Sequence, residues 1–355
     1  MNELASGRPA PTPPAGMEHP FAAAPADGEA VAVGPGILWI RMPLPFALDH
    51  INLWLLREDR GWTAIDTGIA SDEVRSLWQG VFAGPMGGDP LDRLVVTHFH
   101  PDHVGLAGWL AERTGAGLVM TLAEWLMATL LHGDSGGSLA AAQVTFYRRH
   151  GLADEWLDVL GSRGNTYRRR IAPPPMTFSR IADGDTLTLG GETWRVIVGT
   201  GHAPEHACLY NPDRHILVSG DQVLPRITPN ISLLAAQPDG NPLGDYLESL
   251  GRFRELPEDT LVLPSHGHPF RGLHSRLDLL ARHHEERLGE VLLACDRPRT
   301  AAEILPVLFR RELDAHQIMF AMGESLSHLA WLEHAGRLSR APGDDGVERF
   351  FRRPD

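Results

Sequence analysis

No lysine occurs in this 355-residue chain; all 32 basic side chains are arginine. That absence excludes a lysine Schiff base, a phosphate-loop lysine and a kinase-type lysine. Cysteine is scarce as well, and Cys208 and Cys295 alone can build neither a disulfide scaffold nor a multi-cysteine zinc site. No apolar run approaches the 18 residues or so that a membrane span needs. Basic charge falls short of acidic charge, 32 residues against 45, and the net of −13 disfavours a polyanionic partner. The first 30 residues hold six prolines but no basic start followed by an apolar stretch. They read as a flexible tail rather than a secretory signal, which leaves the cytoplasm as the default compartment.

What is present is an ordinary globular composition, 43% apolar and 22% charged, long enough for one large domain plus a smaller one. From Val31 to Leu56 the pattern is strand-like, broken at Pro43 and Pro45. The strand WTAIDTG follows, and Ser71 can cap a helix whose Val74, Leu77, Trp78 and Val81 fall at helical spacing. A buried strand at 94–96 runs into THFHPDHVG. Residues of about 120–175 read as a helical insertion, either a lid or pocket wall or a helical ornament. A strand-rich second half has turns at Gly190-Gly191 and near Asn211–Asp213. Two halves of similar content predict a sandwich of two sheets flanked by helices, spanning 31–272. From 273 to 355 the order helix, helix, helix, hairpin is a winged-helix pattern, opened in part by the capping box of Thr300 and Glu303. From Arg297 on, nine arginines meet nine carboxylates, which is poor for gripping phosphates.

The 18 histidines carry the chemistry. His98, His100, Asp102 and His103 lie within six residues, just past a buried strand. Imidazole and carboxylate donors suit Zn²⁺, Fe²⁺ or Mn²⁺ without any thiolate. In an extended run His98 and His100 point the same way, and the turn at Pro101 lets Asp102 and His103 face a nearby point. Such a cluster can serve two adjacent metals. Three further loops offer donors at strand junctions, where α/β proteins assemble their sites. They are GTGHAPEH with His202 and His206, SGDQV with Asp221, and LPSHGHPF with His266 and His268.

This set resembles the metallo-β-lactamase superfamily over roughly residues 30–272, with the HxHxDH motif present as His98, His100, Asp102 and His103. The resemblance implies a four-layer αββα sandwich, here followed by the small C-terminal winged-helix domain. It implies one metal on His98, His100 and His206, a second on Asp102, His103 and His266, and Asp221 bridging both. Asp102 and Asp221 become the catalytic carboxylates. Asp66 matches a family position beneath the metals that orients a ligand histidine. Asp221 stands where zinc β-lactamases often carry cysteine, so the site looks more like that of hydroxyacylglutathione hydrolases. The implied cofactors are two divalent ions, zinc first, with iron or manganese as alternatives. A hydroxide bridging them would attack an electrophilic centre without a serine or cysteine nucleophile.

His202, His268 and His50 are the remaining substrate or ligand-tuning candidates, while Tyr210 and Tyr246 are of the type that could face an oxyanion. Cys208 and Cys295 read as packing. The expected partner is a small acyl compound (thioester, lactone, ester or amide), with no membrane and no nucleic acid; a homo-oligomer is compatible. The alternatives are a phosphodiesterase or ribonuclease and a mono-iron dioxygenase of the persulfide type.

Overall fold

The computed structural model describes residues 10–315 and 317–353. Strands β1 (Ala30–Gly34), β2 (Ile37–Pro43), β3 (His50–Arg57) and β4 (Trp62–Ile65) pair antiparallel in succession. Helix α1 (Asp72–Ala83) then returns the chain for parallel pairing, its first turn capped by the Ser71 hydroxyl at 3.1 Å from the Val74 N–H. Strand β5 (Leu91–Val95) follows, then helices α2 (Pro101–Val104) and α3 (Ala107–Thr114), and strand β6 (Gly117–Thr121). Helices α4 (Leu122–Gly133), α5 (Ser138–Arg149) and α6 (Asp154–Ser162) precede β7 (Ser179–Ile181), which closes a seven-stranded sheet.

The second sheet has five strands in the order β12-β11-β10-β9-β8. They are β8 (Thr186–Leu189), β9 (Glu192–Gly199), β10 (His206–Asn211), β11 (Ile216–Gly220) and β12 (Leu261–Pro264), with α7 (Pro242–Phe253) between the last two. Period-two alternation assigns each strand face to a layer. On β3, Trp54 and Leu56 meet the other sheet while Ile51, Leu53 and Leu55 pack under α1 and α3. On β10, Ala207 and Leu209 face the first sheet while Cys208 and Tyr210 face the helices outside the second. The result is helices, sheet, sheet, helices.

The C-terminal module consists of α8 (Leu273–Ala294), α9 (Ala301–Leu308), α10 (Gln317–His334) and the hairpin β13 (Leu338–Pro342) with β14 (Glu348–Arg352). The Thr300–Glu303 box closes in both directions, and α9 runs two residues past Pro306 before ending. Leu277, Leu280, Met322, Leu326 and Leu329 share one core with the outer face of the second sheet.

One expectation is corrected. The tail to residue 30 is packed from Ala10 onward as far as it is described: Met17 and Ala24 are buried, and Glu18 pairs with Arg271 through backbone hydrogen bonds. Proline stiffens such a segment and small residues let it lie flat, so low hydropathy did not prevent docking. The helical insertion is rooted in the fold. Phe146, Tyr147, Leu157 and Leu160 of α5 and α6 belong to the core of the C-terminal module, and the Tyr147 hydroxyl donates to the Met319 carbonyl at 2.8 Å. Among the described residues no helix is long and apolar enough to cross a membrane.

Helices α8 and α10 bury His284 and His328 against each other, the Nδ1 of one 3.4 Å from the Nε2 of the other. Burial, then the neighbouring histidines His328 and His283, push His284 down to about 3; burial above all holds His328 at about 4, with His283 and Arg287 adding to it. Both groups therefore bind protons more weakly folded than unfolded. Their stabilisation is present above pH 6.5 and is lost as pH falls toward 4. Replacing His284 by Gln should remove its share of this acid sensitivity, on the order of 2 kcal/mol at pH 4.5. Melting curves of metal-stripped protein at pH 7 and 4.5 check this; an equal loss in the variant contradicts it.

Candidate metal centre

One end of the sandwich gathers the strand exits. β4 delivers Asp66, β5 delivers Thr97 to His103, β11 delivers Asp221 and β12 delivers Ser265 to His268. The loop from β9 to β10 carries His202. Backbone hydrogen bonds tie these exits across the two sheets: the Ala207 N–H donates to Thr97 O at 2.9 Å, and the Asn52 N–H of β3 to Ser265 O at 2.7 Å. Asp66 adopts a left-handed backbone (φ 61°), uncommon for a side-chain-bearing residue and a conformation held by its surroundings.

Two donor groups form there. His98, His100, His202 and Asp221 offer atoms all within 4.8 Å of one another, and so do Asp102, His103 and His266. Within the first, His98 Nε2 lies 2.8 Å from His100 Nδ1 and 3.2 Å from His202 Nε2, and the last two atoms are 3.1 Å apart. Tetrahedral ligands of a zinc ion stand about 3.3 Å apart, so the triangle is close to ligand size. Asp221 faces both groups. Its Oδ2 is 3.5 Å from His202 Nε2, and its Oδ1 is 3.3 Å from His266 Nε2 and 3.6 Å from His103 Nε2. Asp102 Oδ2 lies 3.4 Å from His266 Nε2.

Each inward-facing ring except that of His100 is fixed from behind at its Nδ1. His103 donates to Asp66 at 2.7 Å, His202 to the Asn230 carbonyl at 2.8 Å and His266 to the His50 carbonyl at 2.8 Å. His98 Nδ1 lies 3.0 Å from the Thr97 hydroxyl, which itself reaches Asp66. A ring so held presents Nε2 with its lone pair to the centre. His103 Nε2 and Asp221 Oδ1 are buried without a hydrogen-bond partner. Buried polar atoms are rarely left so, and a cation between them would satisfy both. The residues therefore fit metal ions.

Charge follows the same division. Burial, then the nearby imidazoles, hold His98 well below the usual histidine range; burial and His202 push His100 to about 3. Against the pull of burial, Asp66, Asp102 and Asp221 hold His103 well above that range. Asp221 and Asp102 likewise raise His266 to about 10 despite its burial. The reciprocal attraction outweighs burial at Asp102, held at about 2 chiefly by His103, and holds Asp221 well below the usual carboxylate range, chiefly by His266.

The main correction concerns the histidine pair of the β9–β10 loop. His202, not His206, joins His98 and His100. His206 Nε2 instead accepts the Asp221 N–H at 3.0 Å, its ring stacked on His98. Gly220 makes room for it, since a Cβ there would lie 2.5 Å from His206 Nε2. His50 also stands outside the donor groups: its Nε2 accepts the Gly267 N–H at 2.9 Å, bracing the His266 turn. His268 packs between His19 and Trp39. Tyr246 donates to the Gln222 carbonyl within the core, Tyr210 lies in that core as well, and buried Cys208 sits against the Ser219 carbonyl at 3.3 Å.

Three positioning residues escaped the sequence reading. Thr97 joins Asp66 to two ring nitrogens. Asn230 holds His202. Glu124 is fully buried in the first turn of α4, where its two oxygens accept the Phe99 N–H at 2.9 Å and the Glu205 N–H at 2.6 Å, joining both histidine loops. Burial pushes its carboxyl up to about 7 against those two donors. A carboxylate on the Glu124–Ala128 face of an otherwise apolar helix was the available signal.

Comparison with known proteins gives a consistent result. The family model described as the Metallo-beta-lactamase superfamily matches residues 47–266, and one described as Metallo-beta-lactamase-like, C-terminal domain, matches residues 288–353. A solved beta-lactamase domain protein from Burkholderia ambifaria is 46% identical, with TM-score 0.89 over 95% of this chain and 98% of that one. The acyl-coenzyme A thioesterase MBLAC2 of Gallus gallus is 30% identical over 72% of this chain and 86% of its own. The probable metallo-hydrolase YqjP of Bacillus subtilis is 25% identical over 84% and 92%.

The exchange of roles between His202 and His206 has a direct test. His202→Ala removes a donor and should weaken zinc binding by more than about 100-fold, beyond the usual cost of losing an outer partner. His206→Gln keeps an oxygen able to accept the Asp221 N–H and should stay within about 10-fold of wild type. Chelator-competition titration of the metal-free protein measures both, and the opposite ranking would restore His206 as the donor.

Proposed function

The chain belongs to the metallo-beta-lactamase superfamily and has its hydrolase fold; from that premise we propose that it is a dinuclear metal-dependent hydrolase of small acyl compounds, thioesters first. The observation that carries the reading is Asp221, whose two oxygens face different donor groups. His98, His100 and His202 would hold one ion, Asp102, His103 and His266 the other, with Asp221 shared. Zinc suits this nitrogen and oxygen set, as do iron and manganese. When bound, such ions activate water near neutral pH and polarise the carbonyl under attack.

The remaining work falls to the protein. Asp66, Asn230 and the His50 carbonyl keep the rings aimed, so little reorganisation accompanies the reaction. Asp102 and Asp221, held ionised, supply the negative charge that two adjacent cations would need. A carboxylate at 221 in place of cysteine supports the hydroxyacylglutathione hydrolase type of site. The thioester class is supported by the named activity of the MBLAC2 relatives, matched over 86% of the Gallus gallus chain. Charge supports a small substrate over nucleic acid, whose binding draws on cationic contacts: the chain is at −13 without one lysine. We read the C-terminal module, winged-helix-like in its element order, as a packing partner of the catalytic domain in a cytoplasmic protein.

The purified protein should carry about two transition-metal ions per chain and hydrolyse small thioesters in a chelator-sensitive manner. Asp221→Ala should cut kcat/KM by about 10³ or more while the fold survives, since alanine leaves two cations without their shared counter-charge. Metal analysis and a panel of thioesters, lactones, esters, β-lactams and single-stranded RNA decide it. Metal-dependent RNA cleavage without acyl hydrolysis would replace the acyl reading, and a single iron per chain would point to dioxygenase chemistry.

A further inference from the structure

We propose that helix α10 of the C-terminal module is a working part of the metal centre, because it holds His202 in place through Asn230. The proposal rests on reading His202 as a metal donor. Between Gly220 and Pro242 the chain has no helix or strand, so the Asn230 carbonyl that receives the His202 Nδ1–H depends on what the segment packs against. Arg276 of α8 holds the earlier part of the segment at the Leu224 and Ile227 carbonyls, and at Asn230 itself the anchor is α10. The Asn230 side-chain amide donates to the Phe320 carbonyl and to Glu324 Oε2, each at 3.4 Å, and its oxygen accepts from Ser232 Oγ at 2.6 Å. The Leu233 N–H donates to the Gly323 carbonyl at 3.0 Å.

Phe320, Gly323 and Glu324 stand at i, i+3 and i+4, so one face of the helix meets the loop. Contact is close because residue 323 is glycine: a Cβ there would lie 2.4 Å from Ser232 Oγ and 2.7 Å from Ser232 Cβ. The helix is itself held by the core of the C-terminal module and by the Tyr147 hydroxyl on Met319. A small shift of α10 is thereby passed, through two hydrogen-bonded contacts, to the ring nitrogen of His202. Asn230 and Glu324 are positioning residues. Their effect falls on metal affinity and donor geometry, with activity following from those.

The test uses the full chain, stripped of metal and titrated with Zn²⁺ against a chelator, alongside the visible spectrum of the Co²⁺ form and the melting temperature of the metal-free protein. Asn230→Ala and Glu324→Ala should each weaken zinc binding by about 10- to 100-fold and alter the Co²⁺ bands. Metal-free melting should move by no more than a few degrees. Glu324→Gln, whose amide oxygen can still accept from Asn230, should recover most of the affinity. If His202→Ala loses zinc while Asn230→Ala and Glu324→Ala bind as tightly as wild type, the role of α10 is refuted and the metal reading stands. If His202→Ala itself binds zinc like wild type, the reading of His202 as a donor fails. Should Glu324→Ala not fold, Asn230→Ala, a loop truncation at a half-buried position, decides alone.

Discussion

Five imidazoles and two carboxylates share a buried space at one end of the sandwich, and like-charged or lone-pair-bearing groups do not converge there unaided. What holds them is a hydrogen bond behind every ring but that of His100: Asp66 on His103, the Asn230 carbonyl on His202, the His50 carbonyl on His266 and the Thr97 hydroxyl on His98. With Nδ1 committed, Nε2 can only face inward. The strand exits, the cross-sheet backbone bonds and the left-handed Asp66 all serve to bring those acceptors to the right depth. Remove the acceptors and the rings gain rotamer freedom at the moment they must act together.

This arrangement distributes the centre over the whole chain. Acceptors come from the first sheet (Asp66, His50), from the second half (Asn230), and indirectly from the C-terminal helices through the loop on α10. Glu124 joins the HxHxDH loop to the His202 loop from below, as one buried carboxylate taking two backbone N–H groups. Such a carboxylate is costly to bury, and the bonds it accepts offset part of that cost. The catalytic domain and the C-terminal module therefore share one packed core as well as one chain of hydrogen bonds to His202.

Much of this is legible in the sequence. The αββα layering follows from strand alternation, because residues such as Trp54 and Leu53 must face opposite ways on a pleated strand. His98, His100, Asp102, His103, Asp221 and His266 announce themselves by donor chemistry at strand exits. The β9–β10 loop was different. His202 and His206 are both histidines flanking a short turn, and spacing along the chain does not say which one faces inward.

The sequence by itself determined the layers, the donor types and the end of the sandwich at which they gather, since periodicity and residue chemistry are local properties. Only the tertiary structure decided which of two histidines belongs to the centre, that residues 10–30 dock, and that α5 and α6 are rooted in the C-terminal core. Each of those outcomes depends on a partner distant in sequence: the Asp221 N–H that claims His206, the Asn230 carbonyl that claims His202, the Arg271 backbone beneath Glu18, and the Met319 carbonyl above Tyr147. Hydrogen bonds of this kind form between groups that only the completed fold brings within 3 Å or so, so no local pattern can encode them.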